Sequence, residues 1–178
     1  MGTQSDVFSA SAKSAVNADF ESIYQAELPR IYNFFRYRVG DDQIAQDLTA
    51  ETFEKAWRNR TRYRADLASF STWLFTLARH VATDHYRKRR PTLPLDEAVL
   101  ISDLHGVEDT AQERAEFAQL ATLLARLADR ERELVALKYG AGLTNRAIAR
   151  LTGLSESNVS TILFRVTQQL RAQWKDEP

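Results

Sequence analysis

A chain of 178 residues without a single cysteine has no disulfide framework, no thiolate metal site and no cysteine nucleophile, and it is long enough for one large domain or two small ones. No apolar run approaches the roughly 20 residues that span a bilayer. The Ser/Ala-rich stretch 1–18 lacks the apolar centre of a signal peptide, so a cytoplasmic location is expected.

Formal net charge is zero, an unusual balance for a nucleic-acid binder until it is divided along the chain. Residues 20–90 hold thirteen Lys and Arg against nine acids, residues 91–112 hold five acids and no base, and residues 113–178 hold ten bases against eight acids. An acidic segment punctuated by Pro91 and Pro94 between two basic ones reads as a linker joining two modules. The expected organisation is a tail 1–18, a first domain 19–90, an acidic flexible linker 91–112, a second domain 113–174 and a tail 175–178.

No strand pattern occurs, and the fold class expected is all-α. From Phe20 to Phe35 the apolar residues keep a helical period, with Pro29 implying a kink or a fresh start. Gly40-Asp41-Asp42 breaks that helix. A second carries Ile44, Leu48, Phe53 and Trp57 on one side, with Asp47, Glu51 and Glu54 on other faces and Phe53 and Trp57 expected in the core. A basic connection follows, with Arg60, Arg62, Tyr63 and Arg64. Phe70, Trp73, Leu74, Leu77, Ala78 and Val81 then trace one face of a third helix that closes in Arg87-Lys88-Arg89-Arg90 before Pro91. Its Arg79, Thr83, Tyr86 and Arg90 would form a polar stripe along phosphates, while nearby aromatics stack on single-stranded bases; alternatively, the basic end merely complements the helix dipole.

The last third is the most informative. Thr144 suits the N-cap of a short helix with Ile148 and Leu151 on its apolar face, Gly153 suits the left-handed residue that ends it, and Ser155 suits the N-cap of the next. Val159, Leu163, Val166 and Leu170 form the packing stripe of that second helix. Glu156, Ser157, Asn158, Ser160 and Thr161 remain outward at its start, the geometry of a helix-turn-helix whose second helix enters a DNA major groove.

Taken together, Asp47 to Trp57, Phe70 to His80 and the hairpin at 144–171 resemble, in order and spacing, the bacterial RNA polymerase sigma factors of the extracytoplasmic-function group, within the sigma-70 family. The resemblance implies a sigma-2-like helical bundle and a sigma-4-like helix-turn-helix domain. It implies a non-enzymatic protein, without metal or cofactor, that binds core RNA polymerase at the beta-prime clamp helices and the beta flap. Such a protein directs transcription initiation by recognising the −35 duplex and by melting and capturing the −10 element of promoter DNA. On this reading Asp47, Glu51 and Glu54 contact the polymerase. Arg60, Arg62, Tyr63, Arg64, Trp73, Arg79, His80, Thr83, Tyr86, Arg87, Lys88 and Arg90 bind the −10 element. Ser155, Glu156, Ser157, Asn158, Ser160, Thr161 and Arg165 bind the −35 element. An anti-sigma factor is the further partner implied. His80 stands where the family usually has Asn, and Ser160, Ile162 and Thr167 stand where bases are frequent, which leaves Arg165 and Arg171 as cations of the second helix.

Two other classes compete. A stand-alone helix-turn-helix regulator would need dimer symmetry to span two half-sites, and no heptad seam is evident. An enzyme would need a site, and His80, Asp84 and His85 form the one metal-like cluster; His85 lies about 100° around the helix from Asp84, so the three converge poorly. Asp84 better suits an ion pair with Arg87 or Lys88.

Overall fold

A computed structural model describes residues 20–89 and 110–176. Its elements in chain order are α1 (Phe20–Val39), α2 (Asp42–Asn59), a 3-10 turn (Arg60–Arg62), α3 (Phe70–Arg89), α4 (Ala111–Ala125), α5 (Asp129–Val135), a π-helical turn (Ala136–Gly140) that continues α5, α6 (Asn145–Thr152) and α7 (Glu156–Asp176). No strand occurs among the described residues. The stretch 91–109, most of the expected linker, lies outside them, as does the tail 1–18.

α1 is the axis of the molecule. Ile31, Phe34 and Phe35 on it are fully buried. Phe34 meets Phe35 at 5.1 Å and Phe75 of α3 edge-on at 6.1 Å, a geometry in which the positive ring edge faces the negative ring face. Pro29 neither starts nor breaks α1, which runs through it as one helix. The missing N–H costs that turn one backbone bond, and packing of the following residues sustains the helix.

α2 begins where Asp41 accepts the Ile44 N–H at 2.7 Å, the ordinary N-cap bond. Its buried face is Ala45, Leu48, Thr49, Thr52, Phe53 and Ala56. The two buried hydroxyls are satisfied within the helix, Thr49 donating to the Ala45 carbonyl and Thr52 to the Leu48 carbonyl. Trp57 departs from the expected core: it is 46% exposed. One step further along the row 45, 49, 53 drifts off the buried stripe, since four residues exceed a helical turn by about 40°.

α4 starts two residues earlier than the expected domain boundary, because Thr110 and Glu113 close a reciprocal capping box. The core is continuous from one half to the other: Phe34, Phe35, Leu74 and Phe75 belong to the same buried cluster as Leu124, Leu134, Leu137, Ile148, Val159 and Val166.

Candidate nucleic-acid interface

Three surfaces follow from this packing. The first is the outer side of α2, where Asp47, Glu51 and Glu54 follow at spacings of four and three and so share a face. Glu51 pairs with Lys55 at 2.7 Å and Glu54 with Arg58 at 2.5 Å, while Asp47 takes only an amide hydrogen bond from Gln43 at 3.3 Å. Asp47 is therefore the acid of the three least neutralised by its own helix. At the end of this face the Arg60 guanidinium lies 3.9 Å from the Trp57 ring centroid, a cation–π stack that leaves an aromatic plate at the surface.

The second surface is the loop 60–69 with α3. Tyr63, expected on DNA, is instead the loop's anchor: it is 7% exposed, its hydroxyl donates to the Ala68 carbonyl at 3.0 Å, and burial pushes its phenol pKa up. Its ring packs at 5.3 Å from Phe70 and 5.4 Å from Trp73, so Trp73 is half-buried in the same trio. Arg64 is held by Asp66 through bonds of 3.0 and 2.6 Å, and Arg60 donates to the Trp57 carbonyl. Arg62 is exposed. The tip carries Leu67, 73% exposed, which the sequence reading passed over; an apolar residue between Asp66 and Ala68 in a turn-rich loop was its only signal.

On α3, His80, Thr83, Arg87 and Lys88 face outward. Thr83 spends its hydroxyl on the Arg79 carbonyl, and Asp84 pairs with Arg87 at 3.1 Å. Arg79 and Tyr86 do not join the expected phosphate stripe. Arg79 donates to Glu133 at 2.9 Å and to the Leu151 carbonyl. Tyr86 donates to the Arg38 carbonyl at 2.5 Å, with the Arg38 guanidinium 4.8 Å from its ring centroid. Both are turned toward other helices. Arg90 lies outside the described residues. Among the described residues no group of three or more His, Asp and Glu is placed to hold a metal ion.

The third surface is α6 with α7. Thr144 accepts the Ala147 N–H at 3.2 Å, Gly153 takes φ +74° at the end of α6, and Ser155 accepts the Asn158 N–H at 3.2 Å. Ile148, Val159, Leu163 and Val166 are buried. That leaves Glu156, Ser157, Asn158, Ser160 and Thr161 exposed at the start of α7. Ser155 is spent on its cap, and Ser160 receives the Asn145 amide at 2.8 Å, which ties the two helices of the hairpin. Arg165 pairs with Glu131 at 2.5 Å.

Phe164, absent from the sequence-derived set, is 67% exposed. It lies three and four residues beyond Thr161 and Ser160 and so extends their face. Its place off the row 159, 163, 166 and 170 was a readable signal. An exposed phenyl beside these polar groups is the kind of apolar surface that can contact a thymine methyl.

Family models cover the two halves in order, Sigma-70 region 2 at residues 23–92 and Sigma-70, region 4 at residues 117–170. The chain belongs to the sigma-70 family. Among its relatives are the ECF RNA polymerase sigma factor BldN of Streptomyces coelicolor, 30% identical over 89% of this chain and 61% of that one, and SigM of Bacillus subtilis, 28% identical over 85% and 93%. The chain thus spans less than two thirds of BldN but nearly all of SigM. The fold is shared with the sigma factor RpoE of Bartonella quintana, solved in complex with the anti-sigma factor NepR (TM-score 0.69, 20% identity, 90% of this chain and 99% of that one). It is also shared with CnrH in complex with the cytosolic domain of CnrY (TM-score 0.67, 21% identity, 98% and 99%). This sigma factor is thus of the ECF group, whose function is to direct transcription to promoters. No described helix is long and apolar enough to cross a membrane.

Proposed function

We propose that the half built from α1 to α3 seats this sigma factor on core RNA polymerase through Asp47, Glu51 and Glu54, at the beta-prime clamp helices, and takes up the −10 strand with its loop 60–69 and the outer face of α3. The half built from α4 to α7 docks near the beta flap and reads the −35 duplex with Glu156, Ser157, Asn158, Thr161 and Phe164. The observation that carries this reading is the hairpin itself: three cap positions and four buried apolar residues orient α7 so that its first two turns present short polar groups to solvent.

Single-strand capture falls to exposed groups. Leu67 and Trp57 offer apolar surface to an unstacked base, and Arg62, Arg87 and Lys88 offer cations to phosphates, with His80 beside them. The protein works without a catalytic residue, cofactor or metal, in the cytoplasm where core polymerase is found. Its regulator is a helical anti-sigma protein of the kind that accompanies the related structures.

The division of labour has a direct test. Arg165→Ala should weaken binding to −35 duplex and leave polymerase binding intact, because the guanidinium lies on α7, paired with Glu131 of α5, and not among the acids of α2. Charge reversal of Asp47 and Glu51 should do the reverse. Equal loss of both activities in either variant contradicts the assignment.

A further inference from the structure

The face of α7 proposed to read DNA lacks the means to hold it. From Glu156 to Phe164 the helix carries one carboxylate and no Lys or Arg, and its first cation, Arg165, is paired with Glu131 at 2.5 Å. Duplex DNA is a polyanion, and the part of its binding that is indifferent to sequence comes almost wholly from cations set against phosphates. Positions 160, 162 and 167, where basic residues are frequent in the family, hold Ser, Ile and Thr. The Ser160 hydroxyl is moreover engaged twice, accepting from the Asn145 amide at 2.8 Å and donating to the Glu156 carbonyl at 3.0 Å.

Cations stand instead on α6. Arg146 and Arg150 are both exposed, and neither side chain has an ion pair or hydrogen bond among the described residues. Local structure does not account for the pair. Like charges one turn apart repel. Arg146, in the first turn, also sits at the positive end of the helix dipole, where an acid would be favoured and none is present. Arg150 alone, in the last turn, suits the dipole.

The packing of the hairpin says where the two lie. Asn145 is bonded to Ser160, so the start of α6 meets α7 at the edge of its exposed face. Successive helical residues turn by about 100°, which puts Arg146 on the flank next to Asn145 and Arg150 about 40° further round. A helix about 10–12 Å across fills a major groove about 12 Å wide. A second helix packed on it at an interaxial distance of about 8–10 Å then lies over the groove wall, which is sugar and phosphate. Arg146 and Arg150 start about 6 Å apart along α6, far enough for each to take a different phosphate.

We propose that Arg146 and Arg150 form a phosphate clamp, holding the strand beside the groove while α7 reads base edges, so that α6 supplies affinity and α7 supplies choice of sequence. The identity of the duplex rests on the reading of α7 as the −35 reader; the contact itself rests on the arginine pair. Guanidinium forks match phosphate oxygens, and such contacts carry no sequence information.

Anisotropy titrations of the full-length protein with two labelled duplexes test this, one carrying the −35 sequence shared by templates active in run-off transcription, the other a shuffled version. Two phosphate contacts give log affinity a slope of about −1.8 against log salt, or about a 12-fold fall between roughly 50 and 200 mM. Arg146→Gln and Arg150→Gln should each remove about 0.9 from that slope, and the double variant about 1.8, equally on both duplexes. Arg146→Lys/Arg150→Lys, which keeps the charges, should keep the slope. Both positions are exposed, so circular dichroism should show an unchanged helical signal.

A folded double Gln variant with the slope of the unaltered protein overturns the clamp. So does a loss confined to the −35 duplex, which would make the pair readers of sequence, and so does an unaltered protein that binds neither duplex. Failure of the −35 reading looks different: run-off transcription yields no shared sequence, or the unaltered protein binds both duplexes equally. A slope that still falls with the Gln variants on the shuffled duplex then leaves the clamp standing as a DNA contact.

Discussion

Thr144, Phe164 and Asp66 illustrate how differently single side chains contribute here. The Thr144 hydroxyl satisfies one otherwise orphaned N–H at the start of α6. Thr144→Ala should cost about 1 kcal/mol, read as a lower urea midpoint at unchanged m-value. Phe164 is mostly exposed, so Phe164→Ala should leave stability within about 0.5 kcal/mol. It should weaken binding to −35 duplex several-fold with an unaltered salt slope, because no phosphate contact is lost. A fall in stability with intact DNA binding would return Phe164 to a structural role. The hydrogen bond from Arg64 holds the Asp66 carboxyl below the usual carboxylate range. A depressed folded-state pKa means that the clasp persists above the unfolded carboxylate's pKa and is lost only as pH falls through the folded one. Loop 60–69 should therefore be indifferent to pH between 8 and 5, and the Asp66 side-chain carbon resonance should titrate only in stronger acid. A transition near neutrality would show that the clasp is not what positions the loop.

At the scale of elements, the caps and stripes were legible in the sequence because their physics is local. Thr144, Gly153 and Ser155 stand within a turn or two of the groups they satisfy, and Val159, Leu163 and Val166 keep the helical period that buries them. Gly153→Ala should destabilise by about 1–2 kcal/mol through the left-handed conformation alone, since nothing lies within 4 Å of the Cβ it would gain. Gly153→Asn should cost less, and equal losses in thermal unfolding would point to crowding instead. The polar stripe of α3 was not legible, for the same physical reason. Arg79 finds its partners 54 and 72 residues away and Tyr86 finds its own 48 away, and periodicity carries no information about which outward residue another element will meet. Trp57 and Tyr63 exchanged their expected places on similar grounds. A tryptophan in a helical row reads as core until the row is seen to drift off it, and a tyrosine in a basic loop reads as exposed until Phe70 and Trp73 are seen to enclose it.

For the whole molecule, zero net charge conceals an uneven arrangement: on the proposed function, acids on α2 meet the polymerase, cations end α3, and the exposed start of α7 that reads DNA is largely uncharged. Affinity for the −35 duplex should then depend weakly on salt, while binding of −10 single strand should fall more steeply, because phosphate contacts release counterions in proportion to their number. Measuring both slopes on the same protein checks this, and a steeper slope for the duplex would contradict it. On the proposed function, this chain gives core RNA polymerase its choice of promoter. Run-off transcription from a library of promoter sequences, with purified core polymerase and this protein, tests it most directly. Discrete transcripts whose templates share a −35 and a −10 sequence, abolished by charge reversal at Asp47 and Glu51, are the predicted result. A folded protein that binds duplex DNA yet neither associates with core polymerase nor selects start sites would contradict the claim and favour a stand-alone regulator.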